Sequence, residues 1–321
     1  MTRVALVLGG GGVAGYAFHT GVLAALALAG WDPRTADVVV GTSAGSIVAA
    51  AVRSGLDTAE LTARVLDQRP GGDVPPVDAI AGPFRLPRLW RGPAAPGLLV
   101  RELGRGTRLR PSNLVAAALP EGRQTTAALR AAIEPLHGDR WPERALWIPV
   151  TELDTGRRVV IGRDRTDVDV ATAVEASCAI PGYFAPVTIG ERRFVDGGMR
   201  CPDNADVLLD ASPAAPPLDL VIVSAPLSIT SPELARSPLL SALRAYPRRR
   251  LQVNVERLRR AGMAVLAIEP DLTLSRTMGI NAMNPGRLAP IVEASARYTA
   301  EAIEAGTGFG ADTATVRLLT R

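Results

Sequence analysis

Short apolar runs alternate with Ala/Leu-rich stretches from the first residues of the chain onward. Residues 3–8 (RVALVL) are apolar after the leading arginine, rich in branched side chains and bounded by glycines. A run without polar alternation has both faces covered, so it predicts a buried parallel strand. The glycines at 9–12 follow, and then AFHTGVLAALALAG, which predicts a helix stopping near Gly30. Residues 37–40 (DVVV) predict a second strand, and SIVAAAVRSG a helix ending at Gly55. Strand, tight loop and helix, repeated at once, is the opening of a parallel α/β sheet.

The texture changes between about residues 70 and 122, which are heavy in Pro, Gly and Arg. This stretch predicts an inserted excursion rather than a sheet element, with SNLVAAAL as one short helix capped by Ser112. The sheet resumes at 145–150 (ALWIPV), with a hairpin partner at 157–161 (RRVVI) across Asp154-Thr155-Gly156. A helical stretch, DVATAVEASCA, ends at the Ile180-Pro181-Gly182 break. Later strands are expected near 219–226 and 264–270, separated by a helix carrying Arg248, Arg249 and Arg250. LAPIVEASARYTAEAIEA closes the pattern as a last helix. The expected fold is a three-layer α/β/α sandwich with a mainly parallel central sheet. A single domain over residues 1–321 is expected, interrupted by the 70–122 excursion. A chain of that size buries roughly 75% of the surface it exposes when unfolded.

Composition changes this picture by exclusion. All 36 basic residues are Arg and there is no Lys, with a net charge of +4. Neither a Schiff-base lysine nor a P-loop lysine can exist here, which argues against pyridoxal-phosphate chemistry and Walker-type NTP hydrolysis. Two Cys (Cys178 and Cys201), in no CxxC pattern, and two His (His19 and His137) make neither a disulfide framework nor a conventional zinc site. No metal or cofactor is expected. The N-terminus carries no signal-peptide cleavage pattern, and no window supplies roughly 18 uninterrupted apolar residues. A cytoplasmic location is the expectation. Residues 84–110 interleave Phe84, Leu89 and Trp90 with Arg85, Arg88, Arg91, Arg101, Arg105, Arg108 and Arg110. That mixture suits peripheral contact with an anionic membrane as a lid or interfacial patch. No nucleic-acid module accompanies it, so no nucleic-acid partner is expected.

Candidate chemistry begins at Gly41-Thr42-Ser43-Ala44-Gly45. This GxSxG follows a predicted strand and opens a predicted helix, the setting of a nucleophile elbow. The reversal crowds two backbones together, and Gly41, Ala44 and Gly45 relieve the clash while Ser43 is pushed into a strained, exposed conformation. The helix dipole favours negative charge at its oxygen. A plain helix cap is the rival role for Ser43.

The loop Gly9-Gly10-Gly11-Gly12-Val13-Ala14-Gly15 has two functional readings. Dinucleotide binding, and with it an oxidoreductase, needs an acidic residue at the far end of the second strand. That end holds Gly41, Thr42 and Ser43, and Asp37 lies at the other end. The second reading is an oxyanion hole, in which the N–H groups of Gly10, Gly11 and Gly12 converge on a carbonyl oxygen. It requires a nucleophile on the adjacent strand, which Ser43 supplies. A partner base is less obvious. His137 is the only histidine downstream, in the polar stretch EPLHGDRWP, and His19 lies in the first helix in a packed or solvated role. Phe194-Val195-Asp196-Gly197-Gly198 offers a carboxylate after a short strand, with glycines permitting close approach.

Together GGGGVAG, GTSAGS, ASCAIPGYFAPV and DGG resemble the patatin-like phospholipases, over about residues 3–200. The resemblance implies a Ser43–Asp196 dyad that hydrolyses acyl esters of lipids without histidine or metal. It also implies GGGGVAG as the oxyanion loop. Ala14 occupies the place where that family usually carries Arg or Lys. A noncatalytic lipid-binding or regulatory protein that kept the fold is the alternative.

Overall fold

The computed structural model describes residues 2–67, 92–105, 111–210, 217–230 and 238–306. β1 (Val4–Leu8) leads through the glycine loop into α1 (Gly12–Leu28), then β2 (Val38–Gly41), α2 (Ala44–Arg53) and α3 (Thr58–Asp67). The excursion contributes α4 (Pro96–Leu103) and α5 (Pro111–Ala118). After α6 (Ala127–His137) come β3 (Ala145–Glu152), β4 (Arg157–Ile161), α7 (Val170–Ser177), β5 (Val187–Ile189) and β6 (Arg192–Asp196). The remaining elements are β7 (Leu220–Ser224), α8 (Pro238–Arg260), β8 (Ala264–Ile268), α9 (Leu272–Met278) and α10 (Leu288–Glu304).

One sheet runs in the order β5-β6-β3-β2-β1-β7-β8, with β4 on β3. The neighbours β3, β2, β1, β7 and β8 are parallel, whereas β4 and β6 pair antiparallel with β3. The sheet is therefore mixed, with the expected parallel core and an antiparallel flank. Both faces of β1 are covered, as its unbroken apolar run requires. Leu6 and Leu8 join Val39, Ile148 and Ile222 in a core under α1, α2, α7 and α10. Ala5 and Val7 join Val40, Val223 and Val265 in a second core under Leu251, Val255 and Leu258 of α8. Among the described residues no helix is long and apolar enough to cross a membrane.

Two expectations change in detail. α1 begins at Gly12, so the end of the glycine run is already the first turn of the helix. α5 begins at Pro111, a residue preorganised for that position, and Ser112 lies inside its first turn rather than capping it.

Register sets the level of the site. Leu8 lies opposite Gly41 on one side and Ser224 on the other, so the chain leaves β1, β2 and β7 at one edge of the sheet. β6 enters from the opposite direction and ends with Asp196 against Val150, just beyond that edge.

α1 and α10 pack at backbone contact through Gly21. A Cβ there would lie 2.1 Å from Ser295 Oγ and 2.3 Å from the Val292 carbonyl oxygen. Gly21→Ala is expected to force the helices apart and cost about 1–3 kcal/mol. The measurement is a lower urea midpoint with an unchanged slope.

Candidate active site

Only Thr42 and Ser43 separate β2 from α2. Ser43 takes φ 52° and ψ −123°, a left-handed conformation that costs a non-glycine residue about 1–3 kcal/mol. Its surroundings hold it there. The Ser43 N–H donates to Ser177 Oγ at 3.0 Å, and the Ser177 hydroxyl donates onward to the Pro149 carbonyl at 2.9 Å. Ser46 Oγ donates to the Ser43 carbonyl at 2.6 Å. Gly41 and Gly45 permit the crowding. A Cβ on Gly41 would lie 2.6 Å from Ala49 Cβ, and one on Gly45 2.1 Å from the Leu8 carbonyl oxygen.

The Ser43 side chain makes no capping bond to α2, which removes the rival reading of this serine. Its hydroxyl instead lies beside the Asp196 carboxylate and lowers that group's pKa as a donor does. Asp196 is fixed at its own backbone by donating its N–H to the Ala179 carbonyl at 3.0 Å. Its Oδ1 accepts the Gly198 N–H at 2.7 Å. Both Ser43 and Asp196 are only 6% exposed. Burial pushes Asp196 up to about 6, against the opposing pull of the Ser43 and Gly198 hydrogen bonds.

A bridge between the two loops is made by Asn204, itself at φ 52°. Its Nδ2 lies 3.1 Å from Thr42 Oγ1, 3.2 Å from the Gly197 carbonyl and 2.7 Å from the Cys201 carbonyl. Its Oδ1 accepts from Arg158 Nη1 at 3.1 Å. One amide thus ties the residue before Ser43 to the residue after Asp196. Sequence reasoning singled out neither Asn204 nor Ser177. The usable signal for Asn204 is its residue type, because Asn tolerates the left-handed region.

The glycine loop divides. Gly9 donates to the Ser224 carbonyl at 3.0 Å and Gly10 to the Pro202 carbonyl at 2.8 Å. The Gly10 N–H is therefore engaged, a correction to the expectation that it helps hold an oxyanion. The N–H groups of Gly11 and Gly12 have no acceptor among the described residues. Gly12 has φ +58°, and a Cβ on it would lie 2.8 Å from Met283 Sδ. Asp37, just before the N-terminal end of β2, accepts the Val4 N–H at 2.8 Å and sits away from this loop. The glycine loop thus has no acidic ribose partner on β2.

Both histidines are committed elsewhere. His19 is buried, with Nε2 2.7 Å from the Gly9 carbonyl and Nδ1 2.7 Å from Ser224 Oγ. A carbonyl only accepts, so Nε2 carries the hydrogen and Nδ1 receives the Ser224 hydroxyl. Burial lowers His19 to about 4, so this prop under the glycine loop is neutral at pH 7. His137 closes α6 and lies 2.9 Å from the Ala50 carbonyl, about two turns along α2 from Ser43. Cys178 lies beside the hydroxyl of Ser43, and burial raises its thiol, with the Asp196 charge adding to the shift. It is a protonated neighbour rather than a competing nucleophile.

A cavity of about 10 Å³ adjoins Ser43, lined by Gly12, Cys178, Ile180, Phe184 and Met283 among others. That is room for about one water. Of the arginine-rich excursion, residues 84–91 and 106–110 lie outside the described residues. Arg101 donates to the Asp154 carbonyl at 3.1 Å, and Arg105 pairs with the buried Glu102 at 2.9 Å.

Residues 6–209 match the protein family described as patatin-like phospholipase, well over half of the chain. The chain belongs to the patatin-like phospholipase family. The match to these lipid acyl hydrolases spans the glycine loop, the Ser43 turn and the Asp196 turn. Curated proteins give no match. Among solved structures, VipD from Legionella pneumophila aligns with a TM-score of 0.35 at 13% identity, covering 92% of this chain and 67% of that one.

In this patatin-like chain Ser177 is a structural support of the elbow, and removing its hydroxyl leaves the Ser43 N–H and the Pro149 carbonyl unpaired in the interior. Ser177→Ala is expected to cost about 1–3 kcal/mol. Urea denaturation measures it, and an unchanged midpoint would count against the support.

Proposed function

We propose that this family member is a serine acyl hydrolase acting on lipid acyl esters through Ser43 and Asp196. The observation that carries the reading is a serine hydroxyl, on a residue held at φ 52°, set beside a buried carboxylate whose pKa it lowers. Hydroxyl and carboxylate within hydrogen-bond reach are the pair that proton abstraction requires.

In the proposed cycle Asp196 accepts the Ser43 proton as Oγ bonds to the ester carbonyl carbon. The carbonyl oxygen becomes an oxyanion facing the Gly11 and Gly12 N–H groups, at the N-terminus of α1. Collapse expels the alcohol, which takes the proton from Asp196, and leaves Ser43 acylated. A water then gives a proton to Asp196 and attacks the acyl carbon. The acid departs and Ser43 recovers its hydrogen. Backbone donors of this kind contribute about 100- to 1000-fold in rate. Raising the Asp196 pKa narrows its gap to the hydroxyl it deprotonates, which strengthens it as a base.

The test is labelling by a fluorophosphonate probe. Wild type is expected to label, Ser43→Ala to lose labelling, and Asp196→Asn to label at least about 100-fold more slowly. Labelling that survives Ser43→Ala would falsify the assignment. Absence of labelling in folded wild type would favour a noncatalytic lipid-binding role.

Asp196 must be ionised to act as base, so the rate is expected to rise with pH through an apparent pKa of about 6. A rate–pH profile checks this. A limb near the ordinary carboxylate value would mean that the working carboxylate is not buried.

A further inference from the structure

One wall of the pocket at Ser43 comes from a part of the chain outside the family match, which ends at residue 209. That wall is Met283. Ala44, Leu129, Ile180 and Phe184 supply other apolar surfaces of the same pocket. Thr126 also lines it, but its hydroxyl donates to Glu175 Oε1 at 3.1 Å, so that hydrogen is already spent. Cys178 stays a protonated thiol and behaves as a small hydrophobe. Of the two halves of an ester, such a pocket suits the acyl chain, which stays bonded to the serine when the alcohol leaves.

The segment that carries Met283 is built against the glycine loop. α9 ends at Gly279, with φ +76°, and the chain returns over the start of α1. There the Ala14 N–H donates to the Ala282 carbonyl at 2.9 Å. The Met283 N–H donates to Asn281 Oδ1 at 3.1 Å, and the Asn284 N–H to the Asn281 carbonyl at 3.2 Å. Arg287 Nη1 donates back to the Arg276 and Thr277 carbonyls at 3.1 and 3.0 Å, bracing the two ends of the segment together. The half-buried Met283 side chain packs on Ala179, Tyr183 and Phe184. A Cβ on Gly12 would lie 2.8 Å from its Sδ. Gly12 is where the acyl oxygen faces in the proposed cycle, so this thioether bounds the pocket close to the acyl carbon.

The room left is about 10 Å³, comparable to one water or one methyl group. A short acyl group asks for the least widening. Each further methylene must displace a packed wall, which close-packed interiors resist.

Resting on the acyl-hydrolase reading above, we propose that Met283 is a specificity-determining residue that limits the length of acyl chain accepted beside Ser43. The chain therefore prefers esters of short acyl groups.

The experiment compares kcat/KM for p-nitrophenyl acetate, butyrate and octanoate, each below its micelle concentration. The leaving group is the same throughout, so differences report the acyl chain. Wild type is expected to favour acetate over octanoate by at least about tenfold, the lower end of what one methylene is worth in an apolar pocket. Met283→Ala is expected to raise the octanoate-to-acetate ratio about tenfold, and Met283→Val about threefold. Met283→Phe is expected to lower the butyrate-to-acetate ratio. A variant that merely folds less well scales all three rates together and leaves these ratios where they were.

Octanoate hydrolysed by wild type as efficiently as acetate overturns the proposal, as do ratios that stay fixed or move the other way in the folded variants. Should Met283→Ala fail to fold, Met283→Val and Met283→Phe decide by their opposite displacements. Hydrolysis that survives Ser43→Ala, or none with any ester in folded wild type, overturns the underlying hydrolase reading instead. A Ser43-dependent rate without chain-length preference overturns this proposal alone.

Discussion

The rest of this site depends on how closely α2 can approach β1. At Gly45 the two backbones meet with no room for a side chain, since a Cβ there would fall 2.1 Å from the Leu8 carbonyl oxygen. Because the helix starts so close, two residues must turn the chain, and Ser43 is driven to positive φ. That conformation is unfavourable on its own and persists because its surroundings over-determine it. The Thr42 N–H is taken by the Leu8 carbonyl at 2.9 Å, the Ser43 N–H by Ser177 and the Ser43 carbonyl by Ser46. Loss of close packing at one glycine would release all three.

The second level of organisation joins pieces far apart in the chain. Asp196 arrives on a strand that runs against its neighbour β3, and Asn204 bolts its loop to Thr42. The glycine loop is held from beneath by His19, kept neutral by burial, and from beside by the Pro202 carbonyl. The positions of Ser43, Asp196 and the glycine loop are thus fixed by hydrogen bonds that tie them to distant backbone.

What was legible in the sequence follows from this division. β1 and β2 are unbroken apolar runs, and their strands lie within a residue of where periodicity puts them. The small residues around Ser43 announce a crowded turn because crowding acts locally on residue type. Asp196 came from resemblance rather than from any local rule, since DGG alone is an ordinary turn. Gly10 was misjudged because its partner, Pro202, belongs to a distant loop, and a glycine run does not say which N–H groups are already bonded. Ser177 and Asn204 were invisible for the same reason. Each is polar in a stretch of ordinary composition, and only tertiary contact gives it a role.

The cavity at Ser43 has a kinetic consequence. Space for about one water is less than any acyl ester occupies, so on the proposed function this pocket must widen before a substrate can enter it. Among the walls, Met283 is the unbranched side chain, with three rotatable bonds and no ring to clash as it turns. It also stands against Gly12, where a larger residue would lock it. Turning it aside would enlarge the pocket. If only a fraction of molecules hold the pocket open, the affinity measured for an ester is the intrinsic one scaled by that fraction. A thioether beside a glycine, in the wall of the pocket at Ser43, would then set how much ester must be present before that pocket fills.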